Sequence, residues 1–339
     1  MAIDEMLVDR DSWEGFVEES PHGMLFHRWD FLKIIEKHTG YEFLPIGVER
    51  KGQLIGLLPL FYRRFAALRV LLSPPPRTSV PYLGPVLPTD HDRLTQSTRE
   101  AHSKAVVQAL LDVMRTLSPH HTAITCVPGI GDVRPFIWGG FQAEPQYTYE
   151  LDLDRPLQEI WDGIQYRTRK YIKGNAGKIS LRRARSREDI EAFYRMEALR
   201  YRSQGLMPPL VSVDYLEDLA DAFGEQIRLY LIEEGENILG IWGVVVYKDR
   251  YLTWVGGVRP GQDSSLQHVN ECAYWLTIEG AREEGCRVYE LSGANTPRLC
   301  LFKSKFDPSL STYFRVHKKT AFGAAGEMLY RRVLKRRFR

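Results

Sequence analysis

With 339 residues, 44% of them hydrophobic and 26% charged, the chain can supply two cores of ordinary size, which excludes global disorder. A net charge of +3 is too small to argue for a nucleic-acid binder by bulk electrostatics. Cys126, Cys272, Cys286 and Cys300 form no CxxC pair and no closely spaced metal set, so no metal site is expected. No short apolar leader stands at Met1, and no apolar run is long enough to cross a bilayer. A reducing, cytoplasmic setting fits this cysteine usage.

In chain order, 11–19 reads as a short helix. A second helix over 29–38 turns Trp29, Leu32 and Ile35 to one face. Strands follow over 41–48 and 53–62, joined at Arg50-Lys51-Gly52. Pro59 implies that the second of these bends or lies at a sheet edge. Residues 69–72 continue the sheet. The proline-rich stretch from Ser73 to Pro85 is a long loop that can hold a ligand-facing edge, or simply bound an element. A helix over 99–116, a strand over 123–127 and a short element over 136–141 complete the first half.

A strand over 147–153 and a largely helical stretch over 157–172 mark a domain junction near residue 150, dividing the chain into 1–150 and 151–339. A strand over 179–183 precedes helices over 190–201 and 213–222. Strands at 227–233, 238–247 and 251–258 run in sequence. A helix over 270–284, a strand at 288–291, a further strand at 312–316 and a last helix over 321–334 follow. Both halves set antiparallel-looking strands among helices, so an α/β (α+β) layered fold is expected rather than a sandwich.

Charge is uneven along the chain. Between Gly163 and Arg187 there is no Asp or Glu, while Arg167, Arg169, Lys170, Lys173, Lys178, Arg182, Arg183, Arg185 and Arg187 accumulate. Such a field can attract a phosphate-bearing ligand, a coenzyme or tRNA, or can be a solvated helix and strand edge. The terminal cluster Arg331-Arg332 and Lys335-Arg336-Arg337 can meet anionic lipid or end a basic helix.

The late strand and loop carry Glu290-Leu-Ser-Gly-Ala-Asn295 and then Phe302-Lys-Ser-Lys305, after the aromatic strand holding Tyr251 and Trp254. No glycine-rich phosphate loop joins a strand to a helix. Phe26-His-Arg-Trp29, Gly56-Leu-Leu-Pro-Leu60, Pro81-Tyr-Leu-Gly-Pro85, Tyr166-Arg-Thr-Arg-Lys170, Gly240-Ile-Trp-Gly243, Tyr289-Glu-Leu-Ser-Gly293 and Leu301-Phe-Lys-Ser-Lys305 follow one another in order. In this order and spacing the chain resembles the FemAB-like peptidyltransferases of the GNAT acyltransferase superfamily, over nearly its whole length.

That resemblance implies tandem GNAT-like domains, each a mixed, mainly antiparallel sheet flanked by helices, with a ligand cleft at or near their junction. It implies transfer of an acyl or aminoacyl group to an amine, from aminoacyl-tRNA or, as in related proteins, acyl-CoA, with no tightly bound cofactor. The acceptor it implies is an amine-bearing small molecule or envelope precursor. Arg259 to Ser265 lacks the spacing of a Q/RxxGxG/A coenzyme loop.

Lys303 matches the family lysine in its Phe-Lys setting and is a candidate to orient an anionic substrate or stabilise the oxyanion. Glu290 stands where the family has a carboxylate, as a base or a group that orients the incoming ammonium. His27, Trp29 and Tyr82 are candidate substrate contacts in the first domain, with a structural histidine as the alternative at His27. Tyr251 and Trp254 shape an acceptor pocket or pack in the core. Arg167, Arg169 and Lys170 are candidates for phosphate contact. Asn295 binds substrate or caps Thr296-Pro297, and Lys305 is a second basic candidate beside Lys303. A noncatalytic ligand-binding or scaffold protein is the alternative of a different class. The oligomeric state is open.

Overall fold

The computed structural model describes residues 6–205, 207–208, 211–258 and 266–337. The chain forms two compact units. One runs through Gln146 and includes Thr312–Arg337, while the other is Tyr147–Ser311. The sequence suggests 1–150 and 151–339; in this grouping the boundary falls after Gln146, and Thr312–Arg337 joins the first unit.

In the first unit, Asp9 caps α1 (Arg10–Glu19), its carboxylate accepting the Ser12 amide at 3.0 Å. A short 3-10 turn (Leu25–His27) leads into α2 (Trp29–Thr39), which ends at Gly40 in the left-handed region (φ 68°). β1 (Glu42–Arg50) and β2 (Gln53–Phe65) pair as a hairpin. β2 lies between β1 and β3 (Leu68–Ser73) rather than at the sheet edge, and Pro59 faces Pro45 across the ladder. Two prolines can oppose each other only where the pair exchanges no N–H···O bond. β3 joins β2 antiparallel, α3 (Gln96–Leu117) crosses over, and β4 (His121–Thr125) returns parallel to β3. The short element expected at 136–141 is α4 (Arg134–Trp138).

The second unit carries strand β5 (Gln142–Asp152), which starts earlier than expected. The largely helical stretch expected over 157–172 is two helices, α5 (Leu157–Gly163) and α6 (Tyr166–Gly174). Burial of Ile164 turns the chain inward between them, and the Gln165 amide leaves the helical ladder to donate to the Lys305 carbonyl at 2.8 Å. Then come β6 (Ser180–Arg183), α7 (Arg187–Ser203), α8 (Val213–Phe223), β7 (Ile227–Glu234), β8 (Asn237–Tyr247), β9 (Arg250–Val258), α9 (Val269–Glu283), β10 (Val288–Glu290) and α10 (Pro297–Lys303). Their order across the sheet is β5-β10-β9-β8-β7-β6, with β10–β9 parallel and every other pair antiparallel.

Helices bury apolar faces against this sheet. From α9 come Cys272, Ala273, Tyr274, Ile278 and Ala281, packed with Trp242, Tyr251 and Tyr289 of the strands. The Tyr289 hydroxyl is satisfied within this core by Thr253 at 2.8 Å and Thr277 at 2.7 Å. β8 and β9 approach so closely that a Cβ on Gly240 would lie 2.6 Å from the Gly257 carbonyl oxygen.

The chain then returns to the first unit. β11 (Ser309–Lys319) pairs antiparallel with β4, and α11 (Ala321–Arg337) follows. The first unit's strands thus run β1-β2-β3-β4-β11. Among the described residues no helix is long and apolar enough to cross a membrane, and no His, Cys, Asp and Glu cluster can hold a metal.

Candidate active site

The site begins where two parallel strands part. β10 pairs with β9 only from Val288 to Glu290, opposite Arg250 to Leu252, yet β9 runs on to Val258. Beyond Glu290 the chain follows β5 instead: the Leu291 amide donates to the Tyr149 carbonyl, and Ala294 to Tyr147, each at 2.8 Å. Between them Ser292 and Gly293 adopt positive φ, 61° and 39°. The far stretch of β9 is left without a strand on that side among the described residues, in the manner of a ligand-binding gap beyond the ends of parallel strands.

Lys303 closes this turn. It is the last residue of α10, in a stretch whose sequence reads as loop; Thr296 caps that helix through its side chain, accepting from the Leu299 amide. The Lys303 Nζ donates to the Ser292 carbonyl and, at 3.2 Å, to the Gly293 carbonyl. Burial pushes its pKa down to about 8, against the opposing pull of Glu290. An ammonium has three donors. Two are engaged here, and the third can meet a developing negative charge.

Glu290 is fully buried and already committed. Its Oε1 accepts from the Thr148 hydroxyl at 2.8 Å, and its Oε2 from Arg250 at 3.0 Å. Arg250 also pairs with Glu150 at 2.5 Å. A carboxylate held this way is poorly placed to take a proton from a substrate amine. Its field acts on Lys303, which makes it a positioning group in this geometry.

Asn295 does not cap α10. Its Oδ1 accepts from the Tyr147 amide at 2.8 Å, and its Nδ2 donates to the Tyr147 carbonyl at 3.1 Å, so it stands in for a strand neighbour of β5. Lys305 turns to Glu271 at 3.6 Å and lies over the Phe302 ring. Tyr251 is buried and stacked on Tyr289, with ring centroids 5.5 Å apart, and Trp254 is also buried. Tyr251 lines a separate open cavity of about 380 Å³ with Tyr230, Thr277 and Glu284, to which Lys303 and Glu290 do not contribute.

The first-unit candidates pack inside that unit. His27 is fully buried, its Nδ1 accepting the Met24 amide at 3.1 Å and its carbonyl accepting the Trp13 indole at 2.7 Å. Trp29 meets Trp13 and Phe43 edge-on, and Tyr82 is buried between Phe26 and Tyr313. The fold thus groups Lys303, Glu290 and Asn295 around one turn of the second unit, without these three.

Part of the basic tract is neutralised by acidic partners, some near in sequence and some far. Arg169 pairs with Asp162 at 2.7 Å, and Arg182 with Asp189 and Glu233. Arg187 meets Asp214 and Glu217. Arg167 and Lys170 on α6 are exposed, with no ion pair among the described residues. Residues 259–265, whose spacing departs from a coenzyme loop, lie outside the described residues, as do the side chains of the terminal basic cluster.

Sequence reasoning missed two residues of α7. Glu197 is buried and Arg200 lies beside Gly257 near the end of β9. The signal was present: Ile190, Phe193 and Glu197 follow helical spacing, so a carboxylate occupies a core position of the stripe.

Residues 163–304 match the family described as an acetyltransferase (GNAT) domain. No curated protein matches the chain. Among solved structures, FemX is similar at 14% identity and a TM-score of 0.67, over 91% of this chain and 96% of that one. L-PGS from Bacillus licheniformis is similar at 12% identity and a TM-score of 0.58, over 96% of each chain. A tandem GNAT protein from the clavulanic acid biosynthesis pathway aligns at 12% identity and a TM-score of 0.55, over 94% and 96%. The chain therefore has a GNAT-superfamily fold related to that of FemX, at low sequence identity over most of its length.

Proposed function

We propose that the protein is an acyl- or aminoacyltransferase that forms an amide on an amine-bearing acceptor. The observation that carries this reading is the buried Lys303 ammonium, held over the turn after β10 within the residues that match a GNAT acetyltransferase domain. A neutral amine attacks the donor carbonyl, and the oxygen gains negative charge as the new C–N bond forms. Lys303 is the fixed charge that stabilises this oxygen. Collapse breaks the donor's ester or thioester bond, and the leaving group takes a proton from the nitrogen. Glu290, paired with Arg250, helps hold Lys303 charged.

The resemblance to FemAB-like peptidyltransferases supports aminoacyl-tRNA as donor and an envelope precursor as acceptor. Acyl-CoA is the second donor, supported by the acetyltransferase-domain match. In the same reading the first unit is a second GNAT-like domain. The protein works in the cytoplasm, where the basic terminal cluster can end a helix or meet anionic lipid. Arg167 and Lys170 are among the cations available to meet a donor phosphate.

Incubation with aminoacyl-tRNA, acyl-CoA and a cell extract, read by mass spectrometry, identifies donor, acceptor and added mass together. Lys303→Ala is expected to lower turnover by about 100- to 1,000-fold, the usual cost of one oxyanion donor. Transfer at the wild-type rate by a folded Lys303→Ala protein removes Lys303 from the chemistry. Absence of any added mass removes the transferase.

A further inference from the structure

Two opposite charges on α7 that ordinarily satisfy each other do not. Glu197 and Arg200 have the i,i+3 spacing at which a carboxylate and a guanidinium commonly pair. No ion pair joins them among the described residues. Glu197 is 1% exposed, and among the described residues its Oε1 has no hydrogen-bond partner. The Arg200 Nε is likewise buried and without one. Native proteins rarely leave such atoms unsatisfied, and each instance calls for an explanation.

The surroundings point to a ligand. Arg200 lies along Gly257 (φ 146°) near the end of β9, where a Cβ would come within 3.1 Å of its Cδ and 3.6 Å of its Nε. This is the stretch of β9 that runs past β10. The Arg200 charge also reaches Lys303, lowering its pKa further, and Tyr274 of α9. Arg200 and Tyr201 are the ionisable groups that interact with Glu197, whose pKa burial raises to about 7.

We propose that Glu197 and Arg200 form a cradle for a zwitterion, so that the acceptor of the transfer is an amino acid, or a group ending in one, whose amine and carboxylate share a carbon. Glu197 receives the ammonium and Arg200 the carboxylate. The proposal rests on the transferase reading for its place in a reaction, though not for its geometry. In the step itself, one proton passes from the ammonium to the Glu197 carboxylate. The neutral amine then attacks the donor carbonyl, the C–N bond forms as the donor's C–O or C–S bond breaks, and the second proton leaves with the departing group. Glu197 returns its proton to solvent.

The test is ligand binding by saturation-transfer NMR at pH 8, with no donor present. The probes are D,L-alanine, alaninamide, which lacks the carboxylate, and N-acetylalanine, which lacks the ammonium. Wild type is expected to bind alanine about tenfold or more tightly than either analogue, the scale of one charge-assisted hydrogen bond. Glu197→Gln is expected to close the gap to N-acetylalanine, and Arg200→Gln the gap to alaninamide, in proteins whose circular dichroism is unchanged. Equal binding of the three probes, no binding of alanine, or an unaltered order in both variants overturns the cradle. If a variant does not fold, the wild-type order decides. Alanine selectivity without transfer to any acceptor overturns the transferase and leaves the cradle, whereas transfer to amines without that selectivity does the reverse.

Discussion

Replacing Glu197 by Gln should make the protein more stable, and only above a certain pH. Burial raises the Glu197 pKa to about 7 in the folded chain, from an ordinary 4.5. At about 1.4 kcal/mol for each pH unit separating the two values, ionised Glu197 costs the fold about 3 kcal/mol. Below pH 4.5 the carboxyl is neutral in both states and the cost is absent. As pH rises from 4.5 to 7 the unfolded chain ionises while the folded chain holds its proton, so stability falls. Above 7 both forms are ionised and the cost is complete. Glutamine keeps the shape and cannot ionise, so its own desolvation is the same at every pH. Urea denaturation of both proteins at pH 4, 6 and 8 should show the variant gaining on wild type by about 3 kcal/mol between the first and last. Parallel stability curves would mean that Glu197 finds a partner in solution, and the argument from its isolation would fail.

Other consequences follow from the same geometry. Turnover should decline above about pH 8 as Lys303 loses its proton, and Lys303→Arg, which stays charged, should move that alkaline limb upward in a pH–rate profile. Arg250→Ala strands the buried Glu290 carboxylate with Thr148 and should cost about 3 kcal/mol in chemical denaturation, most of it recovered by adding Glu290→Gln. Gly240→Ala drives a methyl against the Gly257 carbonyl and should cost about 1–3 kcal/mol, seen as a lowered Tm.

Much of the layered fold was legible because its signals are local. Alternating and helical periodicity located most elements, and the ordered fragments from Phe26 to Lys305 resemble a family whose fold this chain shares at low sequence identity. Local signals were ambiguous where tertiary contacts intervene. Leu157 to Ile172 has continuous helical spacing, yet burial of Ile164 and the Gln165 to Lys305 bond split it. Pro59 suggests an edge until Pro45 is found opposite it. The basic tract looks like an uninterrupted field until Asp189, Glu233, Asp214 and Glu217 are folded against it.

Sequence alone placed a lysine a short way beyond a late strand, and the resemblance of the surrounding fragments to a known family marked it as a candidate, while the helix α10 that carries it was not legible. Only the tertiary structure decided what the neighbouring charges do. Glu290 and Arg250 are forty residues apart in sequence and paired in space, while Glu197 and Arg200 share a helical face and form no ion pair with each other among the described residues. Whether a charge is satisfied depends on which distant groups folding brings within hydrogen-bond reach and how much water it removes, and neither quantity is written in the local pattern.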